Sequence, residues 1–334
     1  MRRCFVALIL LGLLSGGLCE EVSKPFYRCE IVPQAKHEVS LQIDGKEKCR
    51  WNFGEEYPRP FFFPFSGPSG VSLTRMGHPG AANHDHHRSV WFAHNKVNGQ
   101  NFWADGTKTR IRQKMWLAYE ESDDEAIMAS LLGWYNEDQD EIMEQEFAVA
   151  LRGDTSGGTL LEFQIELRPP KNVPSVSLDK TNFGVLSVRV ARSISHHFGG
   201  GDLRNSEGGI GEKEIFGKAA RWMDYSGPIA IGAGPNRESV TEGITFFDHP
   251  GNPRHPVKWH VRSDGWMGAS LCMDQGIEIL QEKPLVLRYL LHGHGGDYDP
   301  GRADGVFADF SERPGFIIQK SERAHRHFEV LREK

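Results

Sequence analysis

Residues 144–167 read EQEFAVALRGDTSGGTLLEFQIEL, two apolar runs on either side of a polar turn. Within each run, apolar residues alternate with polar ones or follow one another for only a few positions, as in β-strands. Gly157 and Gly158 mark the turn between them. This stretch predicts two strands joined by a short connection.

The same pattern recurs along the chain. Further runs lie at 38–44, 126–135, 183–191, 243–249, 284–292 and 316–320, with turn pairs such as Asp44-Gly45 and Asp264-Gly265 beside them. No window of twelve or more residues has a clear helical period. Many short strands without intervening helices predict an all-β protein, an antiparallel sandwich or a large barrel. The C-terminal segment at 321–334, SERAHRHFEVLREK, is expected to be helical.

The N-terminus has the layout of a secretory signal peptide. Arg2 and Arg3 precede the apolar run FVALILLGLL, and the small-residue stretch SGGLC follows it. We therefore expect a signal peptide at 1–19, a single β-sandwich domain at 20–334, and export to the periplasm or the extracellular space. Lipid anchoring at Cys19 is disfavoured because Leu18 occupies a position that needs a small residue. No later segment is long and apolar enough to span a membrane.

The net charge and the cysteines of the chain indicate whether nucleic acid is an expected ligand and which thiols are candidates for a disulfide. Loss of Arg2 and Arg3 changes the formal net charge from −6 to −8. Such an acidic chain, without a basic block, is not expected to bind nucleic acid. Outside the leader, Cys29 and Cys49 flank a predicted strand and are candidates for a disulfide, whereas Cys272 in an apolar run is expected to be a buried thiol.

The stretch HPGAANHDHHRSVWFAHNKVNGQNFW at 78–103 concentrates histidine, acid, arginine and tryptophan. In an extended strand, His84 and His86 would face one side, with Asp85 and His87 on the other. The His84/His86 pair is a common start for a divalent metal site, for which His294 is a candidate third ligand. The same imidazoles also suit acid–base chemistry, and both interpretations stay open.

Two more stretches, KAARWMDYSGPI at 218–229 and ITFFDHPGNPRHPVKWHVRSDGWMG at 244–268, place polar groups beside tryptophan. The first reads as a strand that enters a turn, and the prolines of the second predict a rigid loop that stands off the sheet. The predicted catalytic residues are His87, His255, Asp248 and Asp85. The predicted substrate-binding residues are Arg88, Trp91, His94, Asn98, Trp103, Arg221, Asp224, Tyr225, Arg254 and Trp259.

With RPFFFPFSGPSGVSLTR at 59–75, ARWMDYSG at 220–227 and FFDHPGNPRHPVKWHVR at 246–262, the chain resembles the exported bacterial "PmoA family", so-called methane oxygenases of unknown function. The membrane subunit behind that label needs spanning segments, which are not predicted after the leader. The resemblance implies a supersandwich like that of galactose mutarotase, in which a concave sheet face holds a sugar. No catalytic role is transferred from that fold.

The leading hypothesis is a secreted carbohydrate-active enzyme: a glycoside hydrolase, lyase or epimerase that uses histidine and carboxylate groups on a sugar or other small polar substrate. A metal-dependent oxygenase or hydrolase at His84, His86 and His294 is the second hypothesis. The third is a non-catalytic glycan-binding module, in which the tryptophans are essential and the histidines incidental.

Overall fold

The computed structural model describes residues 26–78, 80–81 and 84–333, so the predicted signal peptide lies outside the described residues. Within them the chain is an antiparallel β-sandwich, which confirms the all-β prediction. Over these residues no helix combines the length and the apolarity needed to cross a membrane.

The first sheet has eight strands. In spatial order they are β1 (Cys29–Gln34), β2 (Glu38–Ile43), β3 (Lys46–Asn52), β4 (Phe61–Phe65), β5 (Val90–His94), β11 (Gly184–Arg189), β16 (Trp266–Ala269) and β15 (Trp259–Arg262).

The second sheet also has eight strands: β12 (Asp202–Asn205), β13 (Trp222–Ile231), β14 (Glu238–Asp248), β18 (Leu285–Gly295), β9 (Thr159–Arg168), β8 (Glu141–Gly153), β7 (Ala126–Tyr135) and β6 (Arg110–Glu120). Two small sheets pair β10 (Ser175–Leu178) with β17 (Ile277–Leu280) and β19 (Phe316–Lys320) with β20 (Phe328–Arg332). The helices are α1 (His196–Gly199), α2 (Gly211–Ile215) and α3 (Pro300–Glu312), with a 3-10 turn at Gly234–Asn236.

Aromatic side chains fill the space between the two large sheets. Phe62 of β4 packs on Phe147 and Phe163 of the second sheet, with ring centroids 6.1 and 5.7 Å away. Phe92 of β5 meets Trp134 of β7 at 6.1 Å. Each strand of the first sheet therefore turns alternate residues toward this core, and the intervening residues lie on the outer face of the sheet.

Every predicted strand run is a strand, and the predicted turns join strands. Asp44 and Gly45 link β2 to β3 with φ of 52° and 68°, the left-handed backbone that a tight hairpin requires. Asp264 and Gly265 lie in the turn between β15 and β16, and Gly157-Gly158 lies between β8 and β9. Local alternation and turn chemistry were sufficient for these elements.

The C-terminal prediction was wrong. Phe328–Arg332 is strand β20, paired with β19, and not part of a helix. Val330 is buried there beside Ala118 of β6 and Phe316 of β19. Burial of Val330 in this apolar patch stabilises the strand more than the helix-forming residues of the segment would stabilise a helix, because tertiary packing overrides local helix propensity.

The one helix of more than two turns in the described chain, α3, was not predicted. Asp299 caps it by accepting hydrogen bonds from the backbone N–H groups of Gly301 and Arg302 at 2.8 and 3.1 Å. Ala303 and Phe310 are its buried residues, and they cover Trp222, Phe247 and Leu290 on the outer face of the second sheet. With only two buried apolar residues, seven positions apart, the sequence of α3 has too little helical periodicity to predict a helix.

The three described cysteines are buried and free. Strand β2 lies between the strands of Cys29 and Cys49, so these two thiols are not on neighbouring strands and do not pair. Cys272 is the buried thiol that its apolar surroundings predict.

Phe62→Ala is expected to lower the free energy of unfolding by about 3–5 kcal/mol, because it opens a cavity between the two sheets. Phe26→Ala is the matched control, since Phe26 is 79% exposed. Chemical denaturation followed by tryptophan fluorescence measures both. Equal stability of the two variants would contradict this packing.

Candidate functional site

The outer face of the first sheet carries a row of polar and aromatic residues. Trp91 of β5 lies opposite Ser187 of β11, Ser187 opposite Gly268 of β16, and Gly268 opposite His260 of β15. Residues opposite one another share a face. Because the neighbour Phe92 points to the core, this row lies on the other side of the sheet.

A second row continues on the same face two residues further along. Arg189 of β11 lies opposite Trp266 of β16, which in turn lies opposite Arg262 of β15. The first sheet is therefore apolar toward the sandwich core and carries tryptophan, arginine and histidine on its outer face.

Residues 75–78 and 84–89, here called the histidine loop, cover part of this face. The ends of the loop pair through Met76 and Arg88, and the N–H of Gly77 donates to the carbonyl of His87 at 2.9 Å. The N–H of His87 donates to the carbonyl of His84 at 3.0 Å, which makes 84–87 a turn and not the extended strand expected. His87 therefore lies with His84 and His86, whereas Asp85 is exposed.

Loop and sheet enclose a cavity of about 370 Å³, the histidine cleft. Four of its lining residues are imidazoles: His84, His86, His87 and His260. Three are large aromatics: Trp103, Phe183 and Trp266. The remaining three are polar: Asn95, Arg262 and Asp264.

Asp264 connects the sheet to the histidine loop. Arg189, fully buried, donates to both of its carboxylate oxygens at 2.8 and 3.1 Å, and Nε2 of His78 lies 3.0 Å from Oδ2. The guanidinium and imidazole hold the pKa of Asp264 below its usual value despite burial. Asp264 is thus a fixed anion inside the cleft.

His260 has a defined tautomer. Its Nδ1 lies 2.9 Å from the carbonyl oxygen of Asn182, so Nδ1 carries the proton and Nε2 is a bare acceptor. Nε2 is buried and has no partner in the described protein. Burial lowers the pKa of His260 to about 4, so this imidazole is neutral at pH 7.

His87 is the second buried imidazole of the cleft. It stacks on Trp91 with centroids 5.4 Å apart, and its Nδ1 has no partner in the described protein. Burial, together with nearby positive groups such as Arg189, lowers the pKa of His87 far below its ordinary value. Both His87 and His260 contact the ring of Trp266, at 5.0 and 4.0 Å between centroids.

Of the residues predicted from 78–103, Trp103 and His87 line the cleft, and four others have structural contacts. Trp91 lies beneath His87 and is too deeply buried to stack on a substrate. Arg88 is held by Asp105 at 2.9 Å. Nε2 of the buried His94 contacts the carbonyl of Asp179 at 2.9 Å, and Oδ1 of Asn98 accepts from the N–H of Ser177 at 2.8 Å.

The residues predicted from 218–229 do not join the cleft. This segment continues as strand β13 through Ser226 and Pro228 without the expected turn. Arg221 pairs with Asp304 of α3 at 3.1 Å. Asp224 accepts hydrogen bonds from Thr245 and His294 at 2.6 and 2.8 Å under α3. Tyr225 is buried and donates to the backbone carbonyl of Ser263 at 3.0 Å.

The proline-rich loop folds back on itself and does not stand off the sheet. Nδ1 of His255 contacts Asp248 at 2.8 Å, and the same carboxylate oxygen accepts from the N–H of Val257 at 2.9 Å. Arg254 donates to three backbone carbonyls, among them that of Leu271 at 2.7 Å. Trp259 lies in the core and donates to the carbonyl of Ala220 at 2.8 Å, so it offers no stacking surface.

The ligand set His84, His86 and His294 is ruled out by the topology. His294 lies opposite Gly243 on the outer face of the second sheet, where Arg302 of α3 donates to its Nδ1 at 2.8 Å. His84 and His86 lie over the outer face of the first sheet. Among the residues that the structure describes, no group of three or more His, Cys, Asp or Glu side chains is arranged to hold a metal ion.

Six cleft residues were missed as site residues: Asn95, Phe183, His260, Arg262, Asp264 and Trp266. The signal for the last four was present in WHVRSDGW at 259–266. Alternation puts His260 and Arg262 on one face of a strand, and a turn at Asp264-Gly265 brings Trp266 back opposite Arg262. The recognised turn was therefore enough to place three of them together.

The depressed pKa of His260 predicts acid sensitivity. The unfolded chain takes up a proton below about pH 6.5, whereas the folded imidazole resists protonation until about pH 4. The free energy of unfolding should therefore fall as the pH is lowered between these values. In His260→Gln this fall should be shallower. NMR titration of the imidazole Cε1–H signals gives the pKa directly, and an ordinary pKa for His260 would contradict its burial.

Comparison with known proteins identifies the family of this chain but assigns it no activity. No curated protein matches the chain. One solved structure that it resembles is the 4-alpha-glucanotransferase from Thermococcus litoralis, at 8% identity and a TM-score of 0.29, over 80% of this chain and 39% of that protein. The chain thus spans less than half of that protein, and at this TM-score the similarity supports neither a shared fold nor a shared activity. These matches support neither the oxygenase label nor the mutarotase analogy. A family model does match residues 38–308, and the chain belongs to this family of unknown function, DUF6807.

Proposed function

We propose that the histidine cleft binds a small carbohydrate and acts on it by acid–base chemistry, with His260 as the proton acceptor. The observation that carries this proposal is a pair of buried, neutral imidazoles, His260 and His87, which line one cavity and each have a ring nitrogen without a partner in the described protein. A bare imidazole nitrogen that is neutral at pH 7 is available to take a proton from a substrate hydroxyl or carbon.

The shape and lining of the cleft suit a sugar. Its volume of about 370 Å³ lies at the small end of the usual range for ligand sites, about 300–1,000 Å³. Phe183 is half-buried and offers apolar surface to the CH face of a sugar ring, with the buried Trp103 and Trp266 beside it, while Asn95 and Asp264 offer polar atoms to its hydroxyls. His87 and His260 both contact Trp266, so the two imidazoles belong to neighbouring parts of the cleft lining.

This assignment differs from the predicted catalytic set. His87 keeps its role, His260 takes the place of His255, and neither Asp85 nor Asp248 is among the lining residues of the cleft. Asp248 is occupied by Asn252, His255 and the N–H of Val257, which together fasten the proline-rich loop.

His260→Gln should lower turnover by about a hundredfold or more, the usual contribution of a general base, while the protein stays folded. The assay is product detection by NMR after incubation with mono- and oligosaccharides and their oxidised derivatives. His255→Gln is the matched control and should retain turnover. Loss of activity in His255→Gln but not in His260→Gln would move the active site to the Asp248–His255 pair. Ligand binding without product in the wild type would favour the glycan-binding module.

The metal-dependent hypothesis would need His87 in place of His294, since the ring centroids of His84, His86 and His87 lie between 4.3 and 5.9 Å apart. These three imidazoles are not arranged as a metal site in the described protein. Under acid–base chemistry, we expect activity to persist after treatment with a chelator. Elemental mass spectrometry of the purified chain provides the second measurement. Stoichiometric zinc, copper or iron, with activity lost on chelation and restored by that metal, would favour the alternative.

A further inference from the structure

A second cavity of about 710 Å³, here called the side cavity, adjoins the histidine cleft. Asn95 and Phe183 line both cavities. The other residues that line the side cavity are Lys96, Lys180, Thr181, Asn182, Phe216 and Met273. Because two lining residues are shared, a chain of sugar units that leaves the cleft past Phe183 meets the side cavity next.

Two backbone segments that run side by side form one wall of the side cavity. The N–H of Asn95 donates to the carbonyl of Phe183 at 3.0 Å, and the N–H of Asp179 donates to the carbonyl of Lys96 at 2.8 Å. Lys180 directly follows Asp179, so the two lysines that line the cavity come from adjoining stretches of backbone.

The side chains that line the side cavity carry positive charge only. Lys96 and Lys180 are exposed, and within the described chain neither forms an ion pair and no acid lines the cavity. The nearby acids have other partners: Asp179 accepts from a hydroxyl and a backbone N–H at 2.6 and 2.9 Å, and Asp274 pairs with Lys258 at 2.9 Å. Even with Asp179 counted, the two lysines leave one positive charge in excess. This excess favours an anion in the side cavity.

Phe216 offers an exposed aromatic surface between the two cavities. It is 37% exposed, and it lines the side cavity. Its ring lies under the guanidinium of Arg262 at 4.6 Å and meets the imidazole of His260 edge-on at 5.0 Å, and both of these residues line the histidine cleft. These contacts fix the ring, and its exposed part is available to the CH face of a second sugar unit.

The combined features select among possible ligands. A single sugar ring in the histidine cleft leaves Phe216 and both lysines of the side cavity without a contact. A neutral oligosaccharide uses Phe216 but leaves the excess positive charge uncompensated. A second sugar unit that carries a negative charge meets the aromatic ring and the lysines together.

We infer that the ligand of the histidine cleft is an anionic oligosaccharide of at least two sugar units, whose second unit packs on Phe216 and places a carboxylate or a sulfate ester beside Lys96 and Lys180. This inference rests on the proposed function, since it names the substrate class of the same site.

A glycan array with matched neutral, uronate-containing and sulfated oligosaccharides of one to four units tests the inference. We expect anionic members of two or more units to bind at least fivefold more tightly than their neutral counterparts, with an affinity that falls as salt concentration rises. The class of member that binds distinguishes a carboxylate from a sulfate ester. Isothermal titration calorimetry with the tightest-binding member then measures the variants.

Lys96→Gln/Lys180→Gln should weaken the binding of that member by about fivefold, since exposed ion pairs each contribute a modest factor. Lys36→Gln/Lys46→Gln is the matched control: it removes the same charge from exposed lysines at the opposite end of the first sheet from β15, and it should leave the affinity unchanged. Phe216→Leu should weaken binding by about threefold and leave its salt dependence unchanged, because no charge is lost.

Neutral oligosaccharides that bind as tightly as anionic ones would overturn the inference, and so would an array on which no anionic member binds. Unchanged affinity in Lys96→Gln/Lys180→Gln, or a monosaccharide that binds as tightly as the longer members, would remove the side cavity from the site. The proposed function fails separately: an anionic oligosaccharide that binds through the lysines but is turned over normally by His260→Gln would leave the ligand class standing and remove the base. A neutral monosaccharide whose turnover depends on His260 would do the reverse.

Discussion

The pair between Asp264 and Arg189 is the contact on which the cleft depends. Arg189 is fully buried, and its guanidinium donates to both oxygens of Asp264. It thereby ties strand β11 to the turn of the β15–β16 hairpin, and His78 adds the histidine loop through the same carboxylate. Removal of Asp264 leaves the buried charge of Arg189 uncompensated, at a cost of about 3–5 kcal/mol. The contacts of Asp264 therefore position strand β11, the β15–β16 hairpin and the histidine loop relative to one another.

The ion pair lies where the first sheet is covered on both faces. The inner face of the sheet meets the aromatic core of the sandwich, and the histidine loop covers part of its outer face. A sheet covered on both sides usually carries apolar residues on both. Here the outer face has charged and hydrogen-bonding groups instead, and several of them have no partner in the described protein. Such a departure from simple burial is where a functional site is expected.

The strands and hairpin turns were predictable because their signals are local. Alternation in 144–152 and the Asp44-Gly45 pair depend only on neighbouring residues. Prediction of the site also required the pairing of strands that are distant in sequence. His87 and Trp103 were found because one short stretch contains them both. The proline pattern predicts a binding loop around Arg254, whereas His260 and Arg262 lie on the strand that follows this loop. Which residues of β15 face outward depends on its pairing with β16 and β11, partners that are distant in sequence.

The basicity of His260 and the charge of the ligand are coupled. In the empty cleft, burial keeps the pKa of His260 at about 4, so the imidazole is neutral but a weak base. A carboxylate bound within about 4–6 Å favours the protonated imidazole and raises that pKa. By linkage, protonation of His260 strengthens the binding of the anion to the same degree. An anionic substrate therefore makes its own proton acceptor more basic on binding, whereas a neutral substrate leaves His260 as weak a base as burial makes it.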